Sequence, residues 1–244
     1  KHFVHALRWI MMWTRPDIAF VLSILCRVTD KWADVHDVIL AWVFDYMHTH
    51  NKTYLVGWVH PDDFRHGNIR VRSASDASFA DDRKTRRSTC GWWVSLCGPK
   101  TFVPVAWGAC LMKSVAISTA ESEMGGIQKA TRTAIRIVML VEPMLRFAHK
   151  NESTIEHEHE TDSKAAKGAI DNGGGSTALA HMGRTHGTTV AWLSDYYRPL
   201  DRWVQWVSGK DGFLPDGFTK PIEGFTEFKD GLGLKSDLVT FLDA

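Results

Sequence analysis

The chain has 244 residues, with 29 Lys and Arg against 28 Asp and Glu, a formal net charge of +1 and 44% hydrophobic residues. That length supports one or two domains with a sizeable core. The balanced charge excludes a global field that draws the molecule onto nucleic acid, so any such binding has to use a local basic patch. No apolar run reaches the ~18 residues of a membrane helix; Ile18–Leu25 comes nearest, and Arg27 follows it.

Cys26, Cys90, Cys97 and Cys110 form no CxxC pair, and no histidine spacing accompanies them as in a zinc site. They are expected to be reduced, mostly buried thiols of an intracellular protein. No signal-peptide pattern precedes the first motif. Patterned sequence is already running at Lys1, so the chain is expected to be part of a longer protein.

In chain order, Thr14–Arg15–Pro16–Asp17 opens a helix, with Pro early and an acid in the first turn. Ile18, Val21, Leu22, Leu25 and Val28 give it an apolar face. After a break at Thr29–Asp30, Val35, Ile39, Leu40, Val43 and Tyr46 make a second helical stripe. The short connection predicts an antiparallel helix pair. His36, His48 and His50 read as surface or helix-end residues. Lys52–Val59 predicts a short strand, and His60–Pro61–Asp62–Asp63 starts a loop running to Asn68. A boundary placed here divides a helical unit, residues 1–60, from a second unit, residues 61–244.

Ile69–Ser75 alternates as a strand, Gly91–Leu96 is aromatic and β-rich, and Phe102–Trp107 is a third strand, placed at an edge by Pro104. Short connections make these an antiparallel meander. A helix then starts at Ser118, with Glu121 three residues on to complete a capping box. Ile127, Ala130, Ala134, Ile135, Val138 and Val141 form its buried stripe, and a bend or end is expected near Glu142–Pro143. Glu123, four residues before Ile127, falls on that stripe. A carboxylate there must be paired, protonated or metal-bound. Thr154–Thr161 predicts a fourth strand, Ser163–Ile170 a helix, Gly173–Gly174–Gly175 a break, Val190–Tyr197 a helix and Trp203–Ser208 a fifth strand. The tail from Asp216 predicts a short helix and a last helix near Asp237–Leu242. The order βββ-α-β-α-α-β-α implies an α/β mixed sheet with helices on its faces.

Asp76 follows the first strand, Asp162 the fourth and Asp216 the fifth, while Glu123 heads the intervening helix. The ends of parallel neighbours share one sheet edge, where crevices form. Four acids converging there repel one another unless cations are present. Oxygen-rich sites suit Mg²⁺ or Mn²⁺, and two such ions roughly 4 Å apart can activate water and stabilise the leaving oxygen of a phosphodiester. One by one, Asp76 and Asp162 read as turn or cap residues, and Asp216, after Pro215, as an N-cap. As an ordered set with Glu123 they read as catalytic.

These residues resemble the C-terminal part of the polyprotein of copia-type LTR retrotransposons, the tail of reverse transcriptase plus ribonuclease H. Thr14–Arg15–Pro16–Asp17–Ile18–Ala19 is similar to that family's TRPDIA segment, and Ser75–Asp76–Ala77–Ser78–Phe79–Ala80 to its SDADYA segment. Arg86, Ser88, Thr89 and Gly91 fit its RKSTSGY run, and Trp107 with Val115–Glu123 its W…VALSTTEAEY block. Thr161–Asp162–Ser163–Lys164–Ala165–Ala166 resembles its CDNQSA block, and Thr219–Lys220–Pro221 its terminal TKP. The Val115–Glu123 block is the most specific.

The resemblance implies a ribonuclease H-like five-stranded mixed sheet flanked by helices, preceded by a helical remnant of reverse transcriptase. It implies endonucleolytic hydrolysis of the RNA strand of RNA–DNA hybrids during reverse transcription, with two Mg²⁺ or Mn²⁺ ions on Asp76, Glu123, Asp162 and Asp216. Asp76 is then the acid shared by both ions, and Glu121 keeps its capping role. Ser118, Thr119 and Lys164 take positions that contact the hybrid backbone or its 2′-hydroxyls, by which RNA is told from DNA. The implied partners are the hybrid and the upstream polymerase domains, and the implied location is a cytoplasmic retroelement particle or the nucleus. The polymerase's own catalytic acids are absent, so polymerisation does not reside in this segment.

Two departures stand out. Glu156–His157–Glu158–His159–Glu160 replaces an apolar buried strand, and Gly125–Gly126 replaces better helix formers at roughly 1 kcal/mol each. They motivate the alternative of a catalytically inactive, connection-like nucleic-acid-binding domain. His157 and His159 point to one strand face, which reads either as a transition-metal site or as a polar, solvated edge strand. Arg83, Lys84, Arg86 and Arg87 either grip phosphates, Arg86 and Arg87 being the candidate substrate contacts, or form a solvated turn. Arg132 and Arg136 read as the exposed side of their helix.

Overall fold

The computed structural model describes residues 2–149, 154–173, 179–187, 189–209, 212–222 and 224–236. The chain opens with α1 (His2–Trp13), a 3-10 turn (Pro16–Ile18), α2 (Ala19–Arg27) and α3 (Asp34–Thr49). A short β1 (Tyr54–Leu55) and α4 (Pro61–Arg65) lead to β2 (Arg70–Ser78), β3 (Thr89–Cys97) and β4 (Phe102–Leu111). Next come α5 (Thr119–His149), β5 (His157–Thr161), α6 (Lys164–Asp171), α7 (Met182–Thr185), α8 (Val190–Tyr196) and β6 (Arg202–Trp206). The tail holds a 3-10 segment (Leu214–Phe218), α9 (Phe225–Gly231) and β7 (Leu234–Lys235). The expected last helix near Asp237–Leu242 lies outside the described residues, as does part of the glycine break at 173–175. No helix among the described residues is long and apolar enough to cross a membrane.

The main sheet has the order β4-β3-β2-β5-β6. β2, β3 and β4 pair antiparallel, whereas β5 runs parallel to both β2 and β6. This is the expected α/β architecture, a ribonuclease H-like five-stranded mixed sheet with flanking helices, and β4 with its Pro104 lies at the edge. Successive strand residues point to opposite faces. Trp93 packs into a cluster with α1, α2 and the tail residues Phe218, Phe228 and Leu232, while Val94 packs against Ala134 and Val138 of α5. Met124 and Ile127 of α5 join α6, α8 and Val204 on that second face.

Several boundaries differ from the sequence expectation. Pro16 opens a 3-10 turn rather than an α-helix, because the Arg15 guanidinium folds back on Asp17 at 2.8 Å and both are buried. Tyr46 of α3 donates to the same carboxylate, so the TRPD run ties the lead-in helices together. The loop from His60 contains α4, whose first turn is capped by the His60 ring accepting from Asp62 N at 3.2 Å. α5 runs through Pro143 to His149, so of the expected bend or end near Glu142–Pro143 the end does not occur. Its glycines are carried by the burial of Met124, Ile127, Ala130 and Ala134, which outweighs their propensity cost.

The fourth strand is neither an edge nor solvated. β5 lies between β2 and β6, and His157 and His159 are fully buried. Ser73 Oγ lies 2.8 Å from both His157 Nε2 and His159 Nδ1, Tyr196 OH lies 2.9 Å from His157 Nδ1, and Ser75 Oγ lies 3.3 Å from His159 Nε2. All four ring nitrogens are engaged by neutral hydroxyls, so neither histidine is a metal ligand here. The alternate residues, Glu158 and Glu160, point to the other face and pair with Arg70 at 3.0 Å and with Arg72.

Burial pushes both imidazoles down to about 3, with Arg202 adding at His157 and His157 adding at His159. The unfolded chain protonates its histidines near pH 6.5. Their contribution to stability is therefore complete above about pH 6.5 and is lost as the pH falls toward 3, at up to about 2.7 kcal/mol per pH unit for the pair. Urea unfolding at pH 7 and pH 5 is expected to show a smaller pH dependence in H159N than in the parent chain. Equal pH dependence in the two proteins would refute the assignment.

Candidate active site

Asp76 lies within β2, two residues before its end, rather than just past it. It faces Gly91 across the β2–β3 ladder. A methyl at Gly91 would sit 2.5 Å from Phe218 Cβ and 3.1 Å from Thr219 Cγ2, so a glycine lets the tail cross directly over the strand. That crossing allows the Thr219 hydroxyl to donate to Asp76 Oδ2, while Thr219 Oγ1 also lies 3.2 Å from the Asp216 carbonyl. Asp162 directly follows β5 and is half-buried. Trp206, in the last position of β6, donates its indole N–H to the Asp162 carbonyl at 3.0 Å.

Glu123 projects from the first turns of α5 and is buried. Ser118 accepts from Glu121 N at 3.2 Å, and Glu121 Oε2 accepts from Ile117 N at 2.7 Å, one residue before the predicted cap. Glu121 is buried and also meets the His181 and His186 rings. Its carboxyl lies below the usual range: the Ile117 N–H and the two histidines outweigh burial, the largest single influence, which raises it. Glu121 thus fixes the helix start and leaves Glu123 as the acid aimed at the sheet edge.

The structure brings Asp76, Glu123 and Asp162 together. Each offers an oxygen, and the three oxygens lie within 4.8 Å of one another. Burial raises the Glu123 carboxyl to about 9, helped by Asp76 and Asp162 and opposed by a hydrogen bond from the Ala77 backbone. Burial and Asp76 also raise Asp162. Among the described residues Glu123 Oε2 is buried with no hydrogen-bond partner. Three hard oxygen donors, one of them orphaned, fit a divalent cation such as Mg²⁺ or Mn²⁺.

The fourth predicted acid, Asp216, stands outside that trio. It lies in the 3-10 segment, with Oδ2 3.0 Å from Lys220 Nζ. Burial and the neighbouring acids raise it to about 6, against the pull of Lys220. Beside this pair opens a cavity of about 960 Å³, walled by Trp93, Phe213, Phe228, Arg72 and Glu160. Lys210 and Asp211, in the approach to Asp216, lie outside the described residues.

Of the predicted substrate contacts, Thr119 is exposed and Ser118 half-buried, one turn before Glu123. Lys164, exposed at the start of α6, holds its ammonium 4.4 Å from the centre of the Trp206 ring. Arg86 and Arg87 lie in the β2–β3 connection, at the end of β2 that carries Asp76; Arg86 is exposed with φ 58°. Thr219, Lys220 and Trp206 were given no role from sequence. The TKP match held a signal for the first two, whereas Trp206 read only as an aromatic strand residue.

The fold is that of a ribonuclease H-like α/β protein with a carboxylate cluster at the sheet edge. The chain belongs to the same family as a Plasmopara viticola protein described as secreted RxLR effector protein 161. The two are 30% identical over 132 residues, 54% of this chain and 86% of that protein. It is also similar to a retrovirus-related Pol polyprotein from transposon TNT 1-94 of Nicotiana tabacum, at 27% identity over 120 residues, 49% of this chain but 8% of the polyprotein. No protein-family model matches. Among solved structures, it is similar to RNase H1 from the halophilic archaeon Halobacterium salinarum, with a TM-score of 0.37 and 16% identity over 57% of this chain and 86% of that one. It is also similar to LC9-RNase H1, described as a type 1 RNase H with the type 2 active-site motif, with a TM-score of 0.33 and 11% identity over 71% and 90%.

Two outcomes follow from the geometry. G91A is expected to destabilise the chain by about 1–3 kcal/mol, because the tail must shift to admit a methyl; an unchanged urea midpoint would contradict the close crossing. Because Glu123 titrates higher folded than unfolded, the metal-free chain loses stability as the pH rises from about 4.5 toward 9. E123Q is therefore expected to stabilise it at pH 8, in EDTA, by roughly 1–3 kcal/mol, and by less at pH 6. The same gain at both pH values would contradict a raised Glu123 carboxyl.

Proposed function

We propose that this chain is the ribonuclease H part of a copia-type retrotransposon polyprotein and hydrolyses the RNA strand of RNA–DNA hybrids with Mg²⁺ or Mn²⁺. The observation that carries this reading is the meeting of Asp76, Glu123 and Asp162 within 4.8 Å at the end of β2 and β5. The partial similarity to a Pol polyprotein supports the retroelement context.

In this reading Asp76, Glu123 and Asp162 hold the metal, and Asp216 supports the site from the tail. A bound divalent ion supplies the charge that activates water and stabilises the leaving oxygen. The chain's own groups do the positioning. Thr219 orients the Asp76 carboxylate through its hydroxyl. The exposed Thr119 and the half-buried Ser118 stand one turn from Glu123, where a sugar 2′-hydroxyl would be read. Lys164 and the half-exposed Trp206 indole together offer a cation and a ring face to the backbone, and Arg86 and Arg87 offer further phosphate contacts. Residues 1–60 would be the end of reverse transcriptase and residues 61–244 the ribonuclease H unit. Its partners would be the hybrid and the upstream polymerase domains, in a cytoplasmic element particle or the nucleus.

The purified chain is expected to cleave the RNA strand of a labelled hybrid in Mg²⁺, and not in EDTA. D76N is expected to lower the rate at least about a hundredfold, equivalent to roughly 3 kcal/mol of transition-state stabilisation. Equal cleavage by D76N would reject the assignment. The Asp216–Lys220 pair, apart from the trio, favours the second reading, a catalytically inactive hybrid-binding domain. Tight hybrid binding without metal-dependent turnover would select it.

A further inference from the structure

The resemblance implies two divalent ions shared by four acids, yet one of those acids already has a cation. Lys220 Nζ lies 3.0 Å from Asp216 Oδ2. The pair is built into a single turn: Lys220 N donates to the Asp216 carbonyl at 3.0 Å, and Thr219, between them, bonds that carbonyl and the Asp76 carboxylate. The turn that delivers the fourth acid therefore delivers an ammonium with it, tied to the first acid. Among the described residues Asp216 Oδ1 is buried without a hydrogen-bond partner, so it is the atom through which a second ion would have to enter, directly beside that ammonium.

We propose that the Lys220 ammonium is the second cation of this site. The chain then loads one divalent ion, on Asp76, Glu123 and Asp162, while Lys220 neutralises Asp216 and presents its remaining N–H groups to the substrate phosphate. This rests on the reading of the trio as a metal site. A dication at Asp216 would face a like charge held at hydrogen-bond distance from its ligand, so its binding is weak as long as Lys220 is present.

The experiment is a Mn²⁺ titration of the metal-free 244-residue chain, with bound ions counted from the loss of the free Mn²⁺ spin-resonance signal and confirmed by calorimetry. The parent chain and K220R are expected to take up one ion. K220Q is expected to take up two, its second site at least about tenfold tighter than any second site of the parent, the effect of removing one adjacent like charge. D216N is expected to retain the single ion, and D76N to lose it. Two ions in the parent chain, or one in K220Q, would overturn the role of Lys220 and leave the trio intact. No ion in the parent chain, or an undiminished ion in D76N, would overturn the metal-site reading and this inference with it.

Discussion

Three carboxylates cannot stay within 4.8 Å of one another unless something holds them there, because each disfavours the charge of the others. Here the backbone holds them. Asp76 is pinned by its pairing with Gly91 of β3, two residues past the last β2–β5 pair, Glu123 by the burial of Met124 and Ile127 after it, and Asp162 by following β5 directly and by the Trp206 indole on its carbonyl. None can move away without undoing part of the core. Burial, with the charges of Asp76 and Asp162 adding to it, raises the Glu123 carboxyl to about 9 and so favours its protonated form. A cation in the proposed metal site would favour the ionised carboxylate, so its binding would be linked to deprotonation of Glu123.

The order of the acids along the chain was legible because strand ends and a helix start carry recognisable punctuation: a capping Ser118, a Pro-led tail segment, and short alternating runs. What the pattern could not convey was partnering. A run of Glu and His reads as solvent-facing when each residue is judged alone. In the structure the four residues from His157 to Glu160 each have a partner on β2, hydroxyls for the histidines and guanidinium groups for the glutamates. The N-terminal helix His2–Trp13 was missed for a different reason: large apolar residues such as Trp9 and Trp13 lie on its exposed side and blur its buried stripe. Pro143 misled in the opposite sense. It sits exposed in the last third of a long helix whose buried stripe, Val138 and Leu145, continues on both sides of it.

The polar fourth strand also fixes register. A slip of one residue along β2 would turn Glu158 and Glu160 into the helix-packed interior and His157 and His159 onto the face of the guanidinium groups. An aliphatic strand would resist such a slip through packing alone. Here the wrong register would bury charges without partners, which is much less favourable than losing apolar contact. Because Asp162 follows β5 immediately, the same alternation that selects the register also sets where this acid emerges relative to Asp76.

The fourth acid depends on different neighbours. The tail segment that carries Asp216, Thr219 and Lys220 rests Phe218 on Trp93, and that cluster continues into Met11, Ile18 and Leu22 of the lead-in helices. Trp107 donates to the Met11 carbonyl at 2.8 Å, Tyr46 packs edge-on against Phe225, and β7 pairs with β1 at Tyr54 and Leu55. The hydrophobic cluster therefore crosses residue 60, where the composition and turn residues of the sequence suggest a boundary between two units. The position of Asp216 and Lys220 over the sheet is consequently set from both sides, by β3 beneath and by residues of the first 60 around it. The trio, by contrast, is assembled from β2, α5 and β5. The Thr219 hydroxyl on Asp76 is where the Lys220 turn meets the trio, so the two proposed cation positions share that one tie while drawing their remaining support from different elements.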